Sequence, residues 1–296
     1  MSNSKPHKTL SADSAIGVII NAAGGSATDI SDELEAILNS KGYSNIAMHY
    51  CEPEELGAAF DSIKKDNTDL LIVFGGDGTC KSGAIKARDI GIPLVALPGG
   101  TMNILPKALY TTVEWKDALE LALAQEKPRW LPAGRVNDHV FFVGLIIGDP
   151  IKMADVRENL RDGEVVDAVK QVPDVIEAVT SGKTFFYTVD GTSYERGANT
   201  LMLTCPSMSE GAAAPDAFEL ASVPQMSIAS IIGIGAKTLL KGWRESEHVR
   251  VGSVKTVKIS GQGHFNILLD GEAEEVDCHI DISLEPKGVL VLAPDM

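Results

Sequence analysis

LLIVFGGDGTCKS, residues 70–82, decides how this chain is read. Leu70 to Phe74 form an apolar run suited to a buried strand, and Gly75 breaks it into a loop. The glycines of GGDGT, residues 75–79, let a backbone approach a phosphate closely, and a helix expected after Asp77 would aim its first amides at the same place. An acid at the centre of such a loop poses a problem, because bare phosphate would be repelled. Asp77 makes sense if the bound species is a nucleotide triphosphate with Mg²⁺. A carboxylate there can hold the metal, directly or through water, or accept the proton of an attacking hydroxyl. The loop therefore argues for phosphoryl transfer rather than simple phosphate binding.

A second loop, PGGTMN at 98–103, follows another apolar strand at 93–97, and its Gly99 lies 24 residues beyond Gly75, about one strand-helix unit. In a parallel sheet both loops would emerge at the carboxyl edge, where open α/β folds bind ligands. Either loop alone could be a tight turn; two at matching positions favour a nucleotide or phosphate site. GGDGTCKS is a near miss of the Walker loop, with Cys80 where the last glycine belongs, which argues against an ordinary P-loop NTPase and leaves Lys81 as a helix surface residue. The dinucleotide fingerprint is absent from both loops, and GIGAKT at 233–238 sits in an apolar helical stretch where packing explains it better.

Outward from these loops, residues 15–130 alternate apolar runs and helical stretches as an α/β domain does. Strands are expected at 16–20, 45–50, 70–74 and 93–97. Helices are expected from Ile30, with Thr28 or Asp29 as N-cap, and at 53–65, 77–89 and 113–125. Residues 1–14 read as a disordered tail. From 131 to 284 the texture changes to short strands, with a hairpin at Asn137-Asp138 and helical patterns at 151–181 and 226–242, which predicts a second, mostly antiparallel domain. Residues 285–296 include a last strand, Gly288 to Leu292, placed with the end of the fold.

The net charge of −15 opposes a nucleic-acid partner. Four cysteines without a CxxC pair suit thiols in a reducing cytosol, and no apolar stretch reaches the roughly 18 residues of a membrane span. The histidines show no ligand spacing, and the nucleophile elbow GxSxG is missing.

GGDGT after an apolar strand, then PGGTMN, then LLDGE at 268–272 shortly before GVLVLAP at 288–294, resembles the diacylglycerol kinase catalytic-domain family, which includes bacterial lipid kinases, sphingosine kinases and ceramide kinases. GGDGT alone also occurs in NAD kinases and phosphofructokinases; the combination is more specific. The resemblance implies an α/β nucleotide-binding domain of the NAD kinase and diacylglycerol kinase type, an antiparallel β-rich lipid-substrate domain with helices, and an ATP site in the cleft between them, with 285–296 returning to the first domain. It implies that Gly75, Gly76, Gly78 and Thr79 cradle phosphates, that Gly100, Thr101 and Asn103 line the nucleotide site, and that Asn21 matches the asparagine of the family's first loop. Asp270 matches a carboxylate proposed as general base, beside Glu272 near the metal, so the Mg²⁺ candidates are Asp77 and Glu272. Asp270-Gly271 could equally be only a hairpin turn.

Several positions depart from the pattern. Ala22 replaces the proline of the first loop, Ser82 stands where many relatives carry glutamate, and Ile104 replaces an aspartate. APDAFEL at 214–220 lacks the D-D-G run of a structural metal site. These changes bear on the substrate more than on the reaction type. A membrane lipid, diacylglycerol or a ceramide-like sphingolipid, is the expected acceptor, reached by peripheral contact at the inner face of the membrane. The candidate apolar helices at 151–180 and 226–250 read equally well as core packing. Competing readings are an NAD kinase-like enzyme and a non-catalytic nucleotide or lipid sensor; a homodimer stays open.

Overall fold

The sheet order of the first half follows from how its strands are buried. Strands β1 (Ile16–Asn21), β3 (Leu70–Gly75) and β4 (Leu94–Pro98) are apolar almost throughout and buried along nearly their whole length, as parallel strands covered on both faces must be. The computed structural model describes residues 9–23, 30–64, 66–148, 185–193, 195–209, 214, 216–223 and 250–295. By internal contacts the chain divides into two compact units, Met1–Pro132 with Pro286–Met296, and Ala133–Glu285.

In the first unit β1 is followed by α1 (Ser31–Ser40), β2 (Ile46–Cys51), a single 3₁₀ turn at Pro53–Glu55 and α2 (Leu56–Ser62). Then come β3, α3 (Asp77–Ile90), β4, α4 (Ile104–Tyr110) and α5 (Trp115–Leu123). The strands pair in the order β2-β1-β3-β4, all parallel. Helix α1 buries Leu34 and Leu38, spaced for one helical face, while Ile37 is only half-buried. Its expected N-cap residues Thr28 and Asp29 lie outside the described residues, and Ile30 occupies the cap position. Helix α3 stops where Gly91 adopts φ +70°. The expected tail is tied down at its end: Ser11 and Ser14 form a hydrogen-bonded turn, and Ser14 is buried.

From β1 the chain moves to one side for β2 and crosses to the other for β3. The direction of winding thus reverses between β1 and β3, and the carboxyl ends of those two strands flank the topological switch point where open α/β sheets take ligands.

The second unit begins within β5 (Arg129–Val136), which turns at Asn137, φ +49°, into β6 (His139–Phe141) with Val136 opposite His139, the hairpin the sequence indicates. It continues through β7 (Gly144–Ile147), β8 (Phe185–Val189), β9 (Arg196–Ala198), β10 (Thr200–Thr204) and β11 (Phe218–Val223). The last strands are β12 (Arg250–Val254), β13 (Thr256–Ser260), β14 (Phe265–Leu269), β15 (Glu272–Val276) and β16 (His279–Val291). One antiparallel sheet has the order β12-β11-β10-β7-β14-β15, and in the other β16 pairs with β13, β13 with β8 and β8 with β9. Alternating burial along β8, β10, β13 and β14 gives both sheets an apolar face, and these faces share one core that includes Phe141, Phe185, Tyr187, Phe218 and Phe265. The two helical patterns expected at 151–181 and 226–242 lie outside the described residues. β16 starts in the second unit and ends in the first, where Val291 pairs in parallel with Leu94 of β4.

Candidate active site

Both glycine loops leave the carboxyl ends of adjacent strands, with Gly75 of β3 directly opposite Pro98 of β4. Their backbones touch. The Gly99 amide donates to the Gly75 carbonyl at 2.9 Å, and a Cβ built on Gly100 would lie 2.6 Å from the Gly76 Cα. No side chain fits there, so glycine is demanded by the close approach of one loop to the other.

Asp77 opens α3, and its Oδ1 accepts the backbone amide of Ile104, the first residue of α4, at 2.6 Å. The carboxylate thus caps a helix that follows the other loop and clamps the two loops together. Its Oδ2 has no hydrogen-bond partner among the described residues. Asn103 closes the second loop on itself: it sits at φ +52°, its Oδ1 accepts the Gly100 amide at 2.8 Å and its Nδ2 donates to the Gly100 carbonyl at 2.7 Å. Asparagine tolerates that left-handed backbone better than most residues. Its side chain is consumed in shaping the loop, while Thr101 and Met102 stand exposed at the loop tip.

Across the switch point, Asn21 at the end of β1 donates from Nδ2 to the Thr79 hydroxyl at 2.8 Å, and its Oδ1 accepts the Ala23 amide at 3.0 Å. Asn21, Gly75, Gly76, Asp77, Gly78, Thr79, Gly100, Thr101 and Asn103 are therefore gathered at one sheet edge of the first unit. Helix geometry leaves the amides of the first turn of α3 without intrahelical acceptors; the first such bond runs from Cys80 to the Gly76 carbonyl. These donors and the helix dipole favour an anion. Beneath them Cys80 is fully buried, with its Sγ 3.7 Å from the Gly75 carbonyl and 3.8 Å from that of Leu97. Burial, and secondarily the charge of Asp77, pushes this thiol far above its ordinary range, so Cys80 packs as a small hydrophobe. Ser82 Oγ turns back to the Gly78 carbonyl at 3.0 Å.

Asp270 and Glu272 belong to the second unit. Asp270 and Gly271 have φ +51° and +91° and join β14 to β15 in a two-residue hairpin, with Leu269 opposite Glu272. The Asp270 side chain does more than turn the chain. Oδ2 accepts the Phe142 amide at 2.9 Å, and Oδ1 accepts those of Val143 at 2.8 Å and Gly144 at 3.0 Å. This buried carboxylate fastens the hairpin to the link between β6 and β7, and its charge adds to burial in raising the nearby Cys205 thiol. Glu272 is exposed at the start of β15. The partners of the two aspartates, the Ile104 amide and the Phe142 to Gly144 amides, carry no sequence signal, because any residue supplies a backbone N–H.

Among the described residues no three His, Cys, Asp or Glu side chains converge in a way that would hold a metal ion. The protein donor available beside the first-turn amides of α3 is the open Oδ2 of Asp77. That set fits Mg²⁺ arriving with a nucleotide, since such an ion keeps waters and phosphate oxygens and takes only one or two carboxylates.

Residues 15–136 match the family model of the diacylglycerol kinase catalytic domain. A Staphylococcus epidermidis protein named "Putative lipid kinase" is 26% identical over 255 residues, 78% of this chain and 80% of that protein. An NAD kinase of Acidobacterium capsulatum is 25% identical over 264 residues, 80% of this chain and 90% of that enzyme. The crystal structure of a "putative diacylglycerol kinase" from Bacillus anthracis str. Sterne matches with a TM-score of 0.72 over 95% of this chain and 97% of that one, at 18% identity, a likeness of fold. The resemblance carried by the two glycine loops is thereby borne out: over residues 15–136 the chain matches the diacylglycerol kinase catalytic-domain family, and its α/β and antiparallel β units have the fold of a solved structure bearing that family's name.

Proposed function

We propose that this protein is an ATP-dependent lipid kinase that transfers the γ-phosphoryl group to a hydroxyl of diacylglycerol or of a ceramide-like sphingolipid. The observation that carries the reading is the pair of glycine loops packed backbone on backbone at the switch point, beside a helix start and an aspartate with one open oxygen. The amides at the start of α3 bind the phosphates, and the exposed loop tip at Thr101 and Met102 borders the nucleotide. Mg²⁺, when bound with ATP, supplies charge neutralisation on the phosphates, and Asp77 is the residue that would hold it. Glu272 as a second ligand rests on the family resemblance alone. Of the two aspartates, Asp77 is the one with an oxygen open to a metal or a proton, because both oxygens of Asp270 already accept backbone amides. The lipid acceptor implies peripheral work at a membrane surface, and no described helix is long and apolar enough to cross one.

A second reading, phosphorylation of NAD, draws support from the NAD kinase match, which spans 90% of that enzyme. Offering Mg-ATP with diacylglycerol, ceramide or NAD, one at a time and the lipids in mixed micelles, separates the two. ATP consumption that depends on a lipid is expected. Consumption that depends on NAD alone would replace the lipid reading, and none with any acceptor would favour a nucleotide sensor.

A further inference from the structure

The second unit contains a cavity of about 240 Å³ at the rim of its two sheets, lined by none of the candidate site residues named above. Two cross-strand pairs build it. Arg196 on edge strand β9 stands directly opposite Tyr187 of β8, and Arg250 on edge strand β12 stands directly opposite Ser222 of β11. Directly opposed residues share a face of their sheet. Tyr187 and Ser222 are buried and bonded to each other, Tyr187 O–H to Ser222 Oγ at 2.8 Å, so they mark the inner faces. Both arginines therefore leave their strands on the inner side, where apolar Val189, Leu220 and Val254 also line the cavity.

Arg196 is half-buried and Arg250 exposed, so the cavity opens to solvent at its arginines, and their planar forks are placed to take a set of acceptors. Neither Arg196 nor Arg250 has an ion-pair partner among the described residues. Among the described residues the acid lining the cavity is Asp190, whose Oδ1 accepts the Lys255 amide at 2.8 Å and the Thr256 amide at 2.9 Å, so that oxygen is held at the strand ends. Glu195, next to Arg196, lines a different cavity with Lys258 and Asp281. On a chain of net charge −15, two cations lining one cavity without an ion-pair partner among the described residues are a local reversal of sign. The volume is below the range of roughly 300–1,000 Å³ usual for drug-sized ligands, and suits a small anionic group.

We propose that this cavity binds a phosphate group, presented by a phosphomonoester lipid headgroup or as free phosphate. Paired arginines suit phosphate because two planar forks can share its oxygens. The site does not depend on the kinase reading.

Its test reads the arginines themselves, since phosphate added to the protein can also reach the glycine loops. With ¹⁵N-arginine label, the Nε–H resonances of Arg196 and Arg250 are followed as inorganic phosphate is added. Both are expected to shift together and saturate, and Arg196→Gln or Arg250→Gln should weaken binding at the remaining arginine by about tenfold, while Lys at the same position restores part of it. Thermal midpoints of the variants guard against loss of fold. Resonances that stay unmoved, or drift without saturation as is expected of ion-paired Arg135, would overturn the proposal. Phosphatidylcholine vesicles with and without phosphatidic acid then name the source. Phosphatidic acid-dependent cosedimentation lost in the double Gln variant identifies a lipid headgroup; equal cosedimentation of both proteins, with the saturable shift retained, identifies free phosphate.

Discussion

Asp77 and Asp270 are both carboxylates at tight turns, yet their surroundings give them different work. Asp77 holds one amide and leaves one oxygen open. Asp270 holds three amides with two oxygens. Asn at 77 keeps an oxygen for the Ile104 amide but removes the charge, so Asp77→Asn is expected to lower kcat by about 10²-fold or more with little change in thermal midpoint. Asn at 270 turns an NH₂ towards amide donors and leaves a buried group unsatisfied, a cost of about 1–3 kcal/mol. Its thermal midpoint should fall clearly while kcat of the folded fraction is kept. Kinetics and melting of the two variants side by side check this, and the reverse pattern would exchange the two roles. The carboxylates and glycines were singled out in the sequence by their places after apolar strands and by the family pattern, although a tight turn explained Asp270-Gly271 as well. Which oxygen is occupied was not legible there, because the partners are backbone amides up to 128 residues away.

Among the elements, those with strong apolar periodicity were readable: β1, β3, α3 and β4 form close to their expected bounds. Two were not. Helix α4 has only seven residues with Pro106 inside it, and it is started by Asn103 and the Asp77 clamp rather than by its own sequence. Strand β16 runs for 13 residues, but Pro286-Lys287-Gly288 carries turn chemistry, so the expected last strand, Gly288 to Leu292, covers only its end. Here tertiary pairing overrides the local signal, with β13 at one end and β4 at the other. The contact between the glycine loops is likewise a property of two elements together. An added methyl at Gly100 meets the Gly76 backbone, which has no flexible end to give way. Gly100→Ala should therefore cost about 1–3 kcal/mol if the loops stay packed, or raise KM for ATP with kcat little changed if they part. Melting and ATP titration together distinguish these from an inert substitution, which would contradict the loop contact.

For the whole molecule, the residues expected of the site fall in two units: the glycine loops and Asp77 in the first, Asp270 and Glu272 in the second. A fold class of this kind is visible in a sequence because parallel buried strands and alternating antiparallel ones have different textures. The acceptor is not, since the stretches read as candidate lipid-facing helices have the same apolar periodicity as core helices. The measurement that bears most directly on the central claim offers diacylglycerol micelles and NAD together, with limiting γ-labelled Mg-ATP, and partitions the product between organic and aqueous phases. Label in the organic phase, lost in Asp77→Asn, is the expected result. Label confined to a phosphorylated dinucleotide in the aqueous phase would contradict the assignment of this protein as a lipid kinase.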